Sequence, residues 1–139
     1  MSLGTGLYTI RSGDAVVGRA LREPFTLSPK PVFSLTDDED AAWAVEALPN
    51  ERYQLYAKGA PAGVEGDRAD GSLVAYLIDQ TSAEEWLLVP VAGVEGAYQV
   101  VAPNGAAWTV TRAGEYGRVA VRPVDGAPAA THFTFTSAA

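Results

Sequence analysis

The stretches GLYTIRSG (residues 6–13), ERYQLYAKG (51–59) and GAYQVVAPNG (96–105) share one pattern of residues. Their tyrosines, Tyr8, Tyr53 and Tyr98, are separated by 53 − 8 = 45 and 98 − 53 = 45 residues. In each stretch an aliphatic residue follows two positions after the tyrosine, and a glycine closes the segment. A fixed period of this size along a whole chain indicates a repeat architecture. The sequence therefore predicts three similar units, at roughly residues 6–50, 51–95 and 96–139, within a single domain of residues 1–139.

The remainder of each unit keeps one order of features. An apolar strand is predicted at residues 31–36 (PVFSLT), 72–78 (SLVAYLI) and 118–124 (RVAVRPV). An acidic residue follows each strand, and a bulky aromatic residue follows the acid; the three pairs are Asp37 and Trp43, Asp79 and Trp86, and Asp125 and Phe133. About four short strands per unit, at this spacing, are typical of an all-β barrel or sandwich. Twelve strands in three units predict a β-trefoil, in which two strands of each unit close a barrel and two form a capping hairpin, so that few sheet edges stay open.

Two linkers carry local signals for a helix. Residues 37–48 (DDEDAAWAVEAL) place acidic residues ahead of an alanine-rich run, and Ser82 and Glu85 have the spacing of a capping box. We predict no α-helix at either place, because the repeat puts the two tryptophans in equivalent positions. Pro49 and Pro90 would also end either helix early. A single helical turn in either linker is compatible with this prediction.

Composition narrows the classes of function. The chain has no cysteine, which excludes disulfides and thiolate chemistry. Its net charge is −7, from 17 acidic and 10 basic residues without a basic stripe, which argues against a nucleic-acid or membrane partner. The first residues lack the charged and apolar regions of a secretory signal, and no stretch reaches the ~20 apolar residues of a membrane span. We expect a cytoplasmic monomer that needs no metal or cofactor.

Candidate catalytic groups are sparse. His132 is the chain's single histidine, and its position in the strand THFTFT favours a structural role. The acidic run at residues 37–40 (DDED) lacks the alternating ligands, central glycine and terminal glutamate of a calcium loop, so a solvated turn is the better interpretation. The chain is predicted not to be an enzyme.

The connection RALREPFTLSPKP (residues 19–31) is the most distinctive candidate for binding. Pro24, Pro29 and Pro31 fall within eight residues, and each fixes its own φ and disfavours helix at the residue before it. Stiff extended backbone is the conformation that a protease cleft binds, and stiffness lowers the entropic cost of binding. The residues alone leave open the simpler interpretation that these prolines only shape a long connection.

The same residues carry a resemblance to a known family. The opening GLYTI, the run VGRALREPFTLSPKPVFSL and the Trp43 segment resemble the mycospins, the β-trefoil serine-protease inhibitors of mushrooms. The stretch Leu27 to Lys30 is the most specific part of this resemblance, which extends over the whole chain. The resemblance implies a cytosolic fungal defence protein that blocks trypsin-like enzymes by inserting one exposed loop as a substrate does.

Transferred onto this sequence, the resemblance implies a protease-binding loop of Arg22, Glu23, Pro24, Phe25 and Thr26. Arg22 suits a trypsin-type pocket and Phe25 a chymotrypsin-type one, and both stay open. Lys30 is expected to be a framework residue, because Pro31 after it lacks an N–H. Some members use the loop between the last two strands, but here that loop, residues 125–131, has no lysine or arginine.

Two other classes remain as alternatives. A β-trefoil lectin is the first, although the Gln-x-Trp signature of ricin-type lectins is absent before Trp43 and Trp86. A cysteine-protease inhibitor of the mycocypin type is the second. Arg68, in a glycine-rich segment, is a second exposed basic residue, but the flexibility of such a segment makes it a poorer inhibitor loop.

Overall fold

A computed structural model describes residues 3–38, 41–67, 70–112 and 117–138. Within these ranges the regular structure is β-strand, with two short 3-10 turns at Gln80–Ser82 and Ala129–Thr131. The strands are, in chain order, β1 (Gly6–Ser12), β2 (Ala15–Val16), β3 (Gly18–Arg19), β4 (Lys30–Phe33), β5 (Trp43–Ala47), β6 (Tyr53–Ala57), β7 (Ala60–Asp67), β8 (Asp70–Ala75), β9 (Leu87–Pro90), β10 (Ala97–Val101), β11 (Ala107–Val110), β12 (Val119–Arg122) and β13 (Phe133–Ser137).

Six of these strands close into a ring. Strand β1 pairs with β13 and β5, β5 pairs with β6, and β10 pairs with β9 and β13, all antiparallel. The bridge between Tyr53 and Trp86 joins the start of β6 to the residue before β9 and completes the circuit. A ring of this kind leaves no open sheet edge within the barrel.

The other strands form three hairpins that pair with one another. The hairpins are β3–β4, β7–β8 and β11–β12. Strand β8 also pairs with β4 and with β12, and a bridge between Phe33 and Arg118 joins the third side of the triangle. The barrel and the triangle of hairpins are the arrangement that the repeats predict. The observed strand count exceeds twelve because the second strand of the first unit is divided at Val17 into β2 and β3.

The 45-residue period has a direct meaning in the register. Tyr8 is paired with Trp43, Tyr53 with Trp86, and Tyr98 with Phe133. In each unit, therefore, the tyrosine of the first strand meets the aromatic residue of the last. Such cross-strand pairs are the elements that stabilise a sheet.

The core is organised around four aromatic rings. Trp43, Trp86 and Phe133, one from each unit, surround Trp108 with ring-centre distances of 5.4, 5.6 and 5.5 Å, and all four are buried. The indole N–H groups of the first two donate hydrogen bonds to the carbonyl oxygens of Val17 (2.9 Å) and Ala62 (3.3 Å). Repeat reasoning did not identify the central ring, Trp108.

The predicted strand ends are too late in all three units. The observed strands stop at Phe33, Ala75 and Arg122 rather than at residues 36, 78 and 124. After β4 the chain leaves the sheet, and the N–H groups of Ser34 and Thr36 donate to the carbonyl oxygens of Gly117 and Val16. After β12, Pro123 has no N–H to continue a ladder.

The prediction that neither linker forms an α-helix is confirmed for the described residues of both linkers. Residues 43–47 form β5, and the second linker has a single 3-10 turn at Gln80–Ser82. Glu39 and Asp40 of the acidic run, and Arg68, lie outside the described residues. His132 lies just before β13 rather than within it.

Replacing Trp86 with alanine should lower the free energy of unfolding by ~3–5 kcal/mol, because it leaves a cavity beside Trp108. Tyr53→Ala, across the bridge, should destabilise in the same direction. Urea unfolding followed by circular dichroism measures the change. A loss below about 1 kcal/mol for Trp86→Ala would contradict the role given to the cluster.

Gly63 is required by close packing. A Cβ atom there would lie 2.7 Å from Tyr76 Cε2 and 2.8 Å from the carbonyl oxygen of Ser82. Gly63→Ala should therefore cost ~1–3 kcal/mol of stability by overpacking. Gly4→Ala is the matched control, because a Cβ atom at Gly4 meets nothing within 4 Å. Equal melting temperatures for the two variants would contradict this prediction, because they would show that Tyr76 and Ser82 move aside without loss of stability.

Candidate functional site

The connection between β3 and β4, residues 20–29, is the β3–β4 loop. The pairing of Gly18 with Phe33 and of Arg19 with Val32 closes its base. At the corresponding position in the second unit only residues 68 and 69 separate β7 from β8. The β3–β4 loop is therefore eight residues longer than the connection between β7 and β8.

Arg19 fixes the first half of the loop from below. Its side chain is only 8% exposed, and its guanidinium donates to both carboxylate oxygens of Glu23, at 3.0 and 2.5 Å. The same group donates to the carbonyl oxygen of Ala57 at 3.0 Å, and the Thr36 hydroxyl donates to the carbonyl oxygen of Arg19 at 2.6 Å. A two-point bond between a guanidinium and a carboxylate fixes orientation as well as distance. Glu23 is thereby held against the body of the protein.

Two further contacts anchor the start of the loop. The N–H of Leu21 donates to Asp37 Oδ1 at 2.9 Å, and the Lys58 ammonium donates to the carbonyl oxygen of Ala20 at 2.7 Å. Lys58 also lies 3.8 Å from a carboxylate oxygen of Asp38. Asp37, the first residue of the acidic run, is therefore a structural anchor of the loop.

Lys30 fixes the second half of the loop. The residue is 4% exposed, and its ammonium donates to the carbonyl oxygen of Pro24 at 2.7 Å and to Thr26 Oγ1 at 3.2 Å. The hydroxyls of Thr26 and Ser28 lie 2.8 Å apart. One buried cation thus holds the residues on both sides of Phe25. This arrangement agrees with the framework role expected for Lys30.

Three large apolar side chains of the loop are exposed to solvent. Phe25 is fully exposed, and Leu21 and Leu27 are more than half exposed. Within the described residues these three are among only seven large hydrophobic side chains that are exposed. Large contiguous patches of exposed apolar side chains are typical of surfaces that bind a partner.

The five predicted site residues differ in what they offer a partner. Arg22, Pro24, Phe25 and Thr26 are exposed, whereas Glu23 is partly buried and turned toward Arg19. Sequence reasoning missed Arg19, Asp37 and Lys58 as anchors of the loop. The spacing of four residues between Arg19 and Glu23 was the one available signal. The other anchors come from positions up to 38 residues away.

The remaining candidate groups have structural partners. His132 Nε2 lies 2.8 Å from the carbonyl oxygen of Ala127, within the loop between the last two strands. Among the described residues no three potential metal-ligating side chains form a group. Likewise, the described residues include no helix that is long and apolar enough to cross a bilayer.

Two pKa shifts report on the scaffold. Hydrogen bonds from Ser82 and then Thr81 lower the pKa of Asp79, so its carboxylate stays charged and holds the 3-10 turn. Burial, followed by the charges of Tyr53 and Tyr8, raises the pKa of Tyr98. This phenol therefore stays neutral within the barrel wall.

Comparison with known proteins gives relatives over nearly the whole chain. A serine protease inhibitor from Lentinula edodes is 34% identical over 119 residues, which cover 82% of this chain and 80% of the relative. The structure of a proteinase inhibitor from Coprinopsis cinerea superposes with a TM-score of 0.85 at 31% identity and covers 98% of this chain and 99% of that one.

More distant structures share the fold. A designed threefold-symmetric protein, ThreeFoil, gives a TM-score of 0.74 at 18% identity and covers 95% of this chain and 99% of its own. A ricin B-like lectin from Macrolepiota procera gives 0.72 at 14% identity and covers 99% of each chain. These similarities confirm the predicted all-β trefoil fold.

The family model described as peptidase inhibitor I66 matches residues 1–136. This match and the two inhibitor relatives confirm the predicted resemblance and the prediction that the chain is not an enzyme. The chain belongs to the peptidase inhibitor I66 family.

Proposed function

We propose that this protein inhibits a chymotrypsin-like serine protease by presenting the Phe25–Thr26 peptide bond of the β3–β4 loop as a substrate. Serine-protease inhibition is the activity named for the Lentinula edodes relative. The observation that carries the choice of bond is the fully exposed Phe25, between two residues that Lys30 holds in place. An aromatic side chain in this position fits the apolar pocket of a chymotrypsin-type enzyme.

The surroundings of Phe25 suit a protease cleft better than those of Arg22. Every residue from Pro24 to Ser28 is exposed, so a cleft can enclose the chain on both sides of Phe25. By contrast, Ala20, two residues before Arg22, is buried, and Glu23, directly after Arg22, is hydrogen-bonded to Arg19. A cleft that bound the Arg22–Glu23 bond would have to displace these contacts.

Rigidity accounts for tight binding by such a loop. Contacts of Arg19, Lys30, Lys58 and Asp37 fix the backbone before any partner arrives, so little conformational entropy is lost on binding. Complexes of proteases with protein inhibitors bury about 1,600 Å² in total and owe their affinity to this preorganisation more than to area.

Phe25→Ala should weaken inhibition of chymotrypsin on the order of 100-fold or more, as expected for the loss of a central anchor residue. Arg22→Ala is the matched control within the same loop and should change inhibition less than about threefold. Residual protease activity, titrated against each purified variant, measures both effects. Melting temperatures of the two variants should equal that of the wild type, because both side chains are exposed.

Phe25→Arg should transfer inhibition from chymotrypsin to trypsin, because the buried carboxylate of a trypsin-type pocket pairs with a cation. A change of target is a result that general damage to the loop would not produce. Loss of trypsin inhibition in Arg22→Ala, with Phe25→Ala fully active, would instead assign the site to the Arg22–Glu23 bond. Inhibition of papain alone would favour the cysteine-protease alternative.

A further inference from the structure

We propose that Lys30 keeps the two ends of the loop together after a protease cuts the Phe25–Thr26 bond, and so directs the reaction back to the intact inhibitor. This inference rests on the proposed function, since it concerns the same bond. It assigns to Lys30 the role of a positioning residue, because the side chain acts on neighbours of the bond and not on the reacting atoms.

The hydrogen bonds of Lys30 span the proposed cleavage point. The carbonyl oxygen of Pro24, which accepts one of these hydrogen bonds, precedes Phe25 and stays with the acyl side after cleavage. Thr26, whose hydroxyl is the other acceptor, becomes the new amino-terminal residue. Neither hydrogen bond involves an atom of the Phe25–Thr26 peptide bond. Both contacts can therefore persist when that bond is broken.

The position of Lys30 makes it a firm anchor. It is the first residue of β4, where it pairs with Ala75 of β8, and its side chain is buried beneath the loop. The leaving side is a short tether of residues 26–29 that ends at Lys30 itself, and Pro29 stiffens it. The acyl side is fixed independently by the contact between Glu23 and Arg19.

The chemistry shows why such a restraint decides the outcome. The serine oxygen of the protease adds to the carbonyl carbon of Phe25, the C–N bond to Thr26 breaks, and the nitrogen of Thr26 leaves with a proton from the catalytic histidine. If water then attacks the ester, the inhibitor is released in a cleaved form. If the Thr26 amine attacks first and returns its proton to the histidine, the peptide bond re-forms and the serine oxygen is freed.

The partition between these routes depends on how long the amine stays beside the ester. A group held in place by the scaffold acts at an effective concentration far above that of a free amine. A lysine suits this task because its compact ammonium carries three donors, which can satisfy two acceptors that face it from different segments.

The test compares the lifetimes of variants in complex with chymotrypsin. Lys30→Met keeps most of the side-chain length and removes the donor. Thr26→Val removes only the acceptor on the leaving side. Arg118→Met is the matched control, because it removes a cation whose ion-pair partner, Glu65 at 3.8 Å, lies in β7 and not in the β3–β4 loop. Mass spectrometry follows intact and cleaved chains while enzyme activity is recorded.

Lys30→Met should inhibit at first and then lose inhibition, with a chain cut between Phe25 and Thr26 accumulating on the order of 10- to 100-fold faster than in the wild type, the range for a lost bond to a charged group. Thr26→Val should be cut faster than the wild type by a smaller factor, and Arg118→Met at about the wild-type rate. Purified cleaved protein, incubated with catalytic amounts of chymotrypsin, should regain the intact bond to a smaller extent in Lys30→Met.

The possible failures are distinguishable. A folded Lys30→Met variant that inhibits and is cut no faster than Arg118→Met overturns this inference and leaves the proposed function standing. If Lys30→Met does not fold, as judged by thermal unfolding, a wild-type cleavage rate in Thr26→Val overturns the inference in the same way. A wild-type protein that does not inhibit chymotrypsin, or is cut at another bond, overturns the proposed function and this inference with it.

Discussion

The packing of four aromatic rings inside the barrel is the constraint on which the rest of the structure depends. Three rings come from equivalent positions of the three units, and each lies in a pair that helps to close the barrel, so packing and closure are coupled. A single side chain, that of Trp108, fills the space between them. Gly18, Gly63 and Trp108 each stand ten residues after a unit's tyrosine (18 − 8, 63 − 53 and 108 − 98), and only the third is large. A Cβ atom at Gly18 would already lie 3.0 Å from the Cβ of Ala41.

The shape of the β3–β4 loop follows from the cost of burying charge. Two cations, Arg19 and Lys30, are almost completely buried at the two ends of the loop, and a buried cation requires hydrogen-bonding partners. The loop itself supplies most of them, through Glu23, Pro24 and Thr26. The loop is therefore rigid because its own groups are the hydrogen-bonding partners of these two buried cations. The side chains that point outward are not needed for this purpose.

The fold could be predicted from the repeat period of the sequence, whereas only part of the candidate site could be predicted. The 45-residue interval predicted the barrel because it reports which strands are equivalent, and the observed tyrosine pairs confirm that meaning. Trp108 escaped prediction because its equivalents are glycines, so a search for shared residues passes over it. The prolines marked the loop as exposed and stiff. Asp37 and Lys58 could not be predicted as anchors, because contacts between residues far apart in the chain produce no recognisable sequence spacing.

The aromatic cluster has a consequence for how this protein can be observed. The chain contains three tryptophans, and all of them lie in the cluster. Its tryptophan emission therefore comes from the centre of the barrel, while the β3–β4 loop contains no indole. Rings packed 5 to 6 Å apart exchange excitation, so the emission is a collective signal of core integrity. Tryptophan fluorescence would therefore report the unfolding of the barrel, but it would not report the cleavage or re-formation of a peptide bond in the β3–β4 loop.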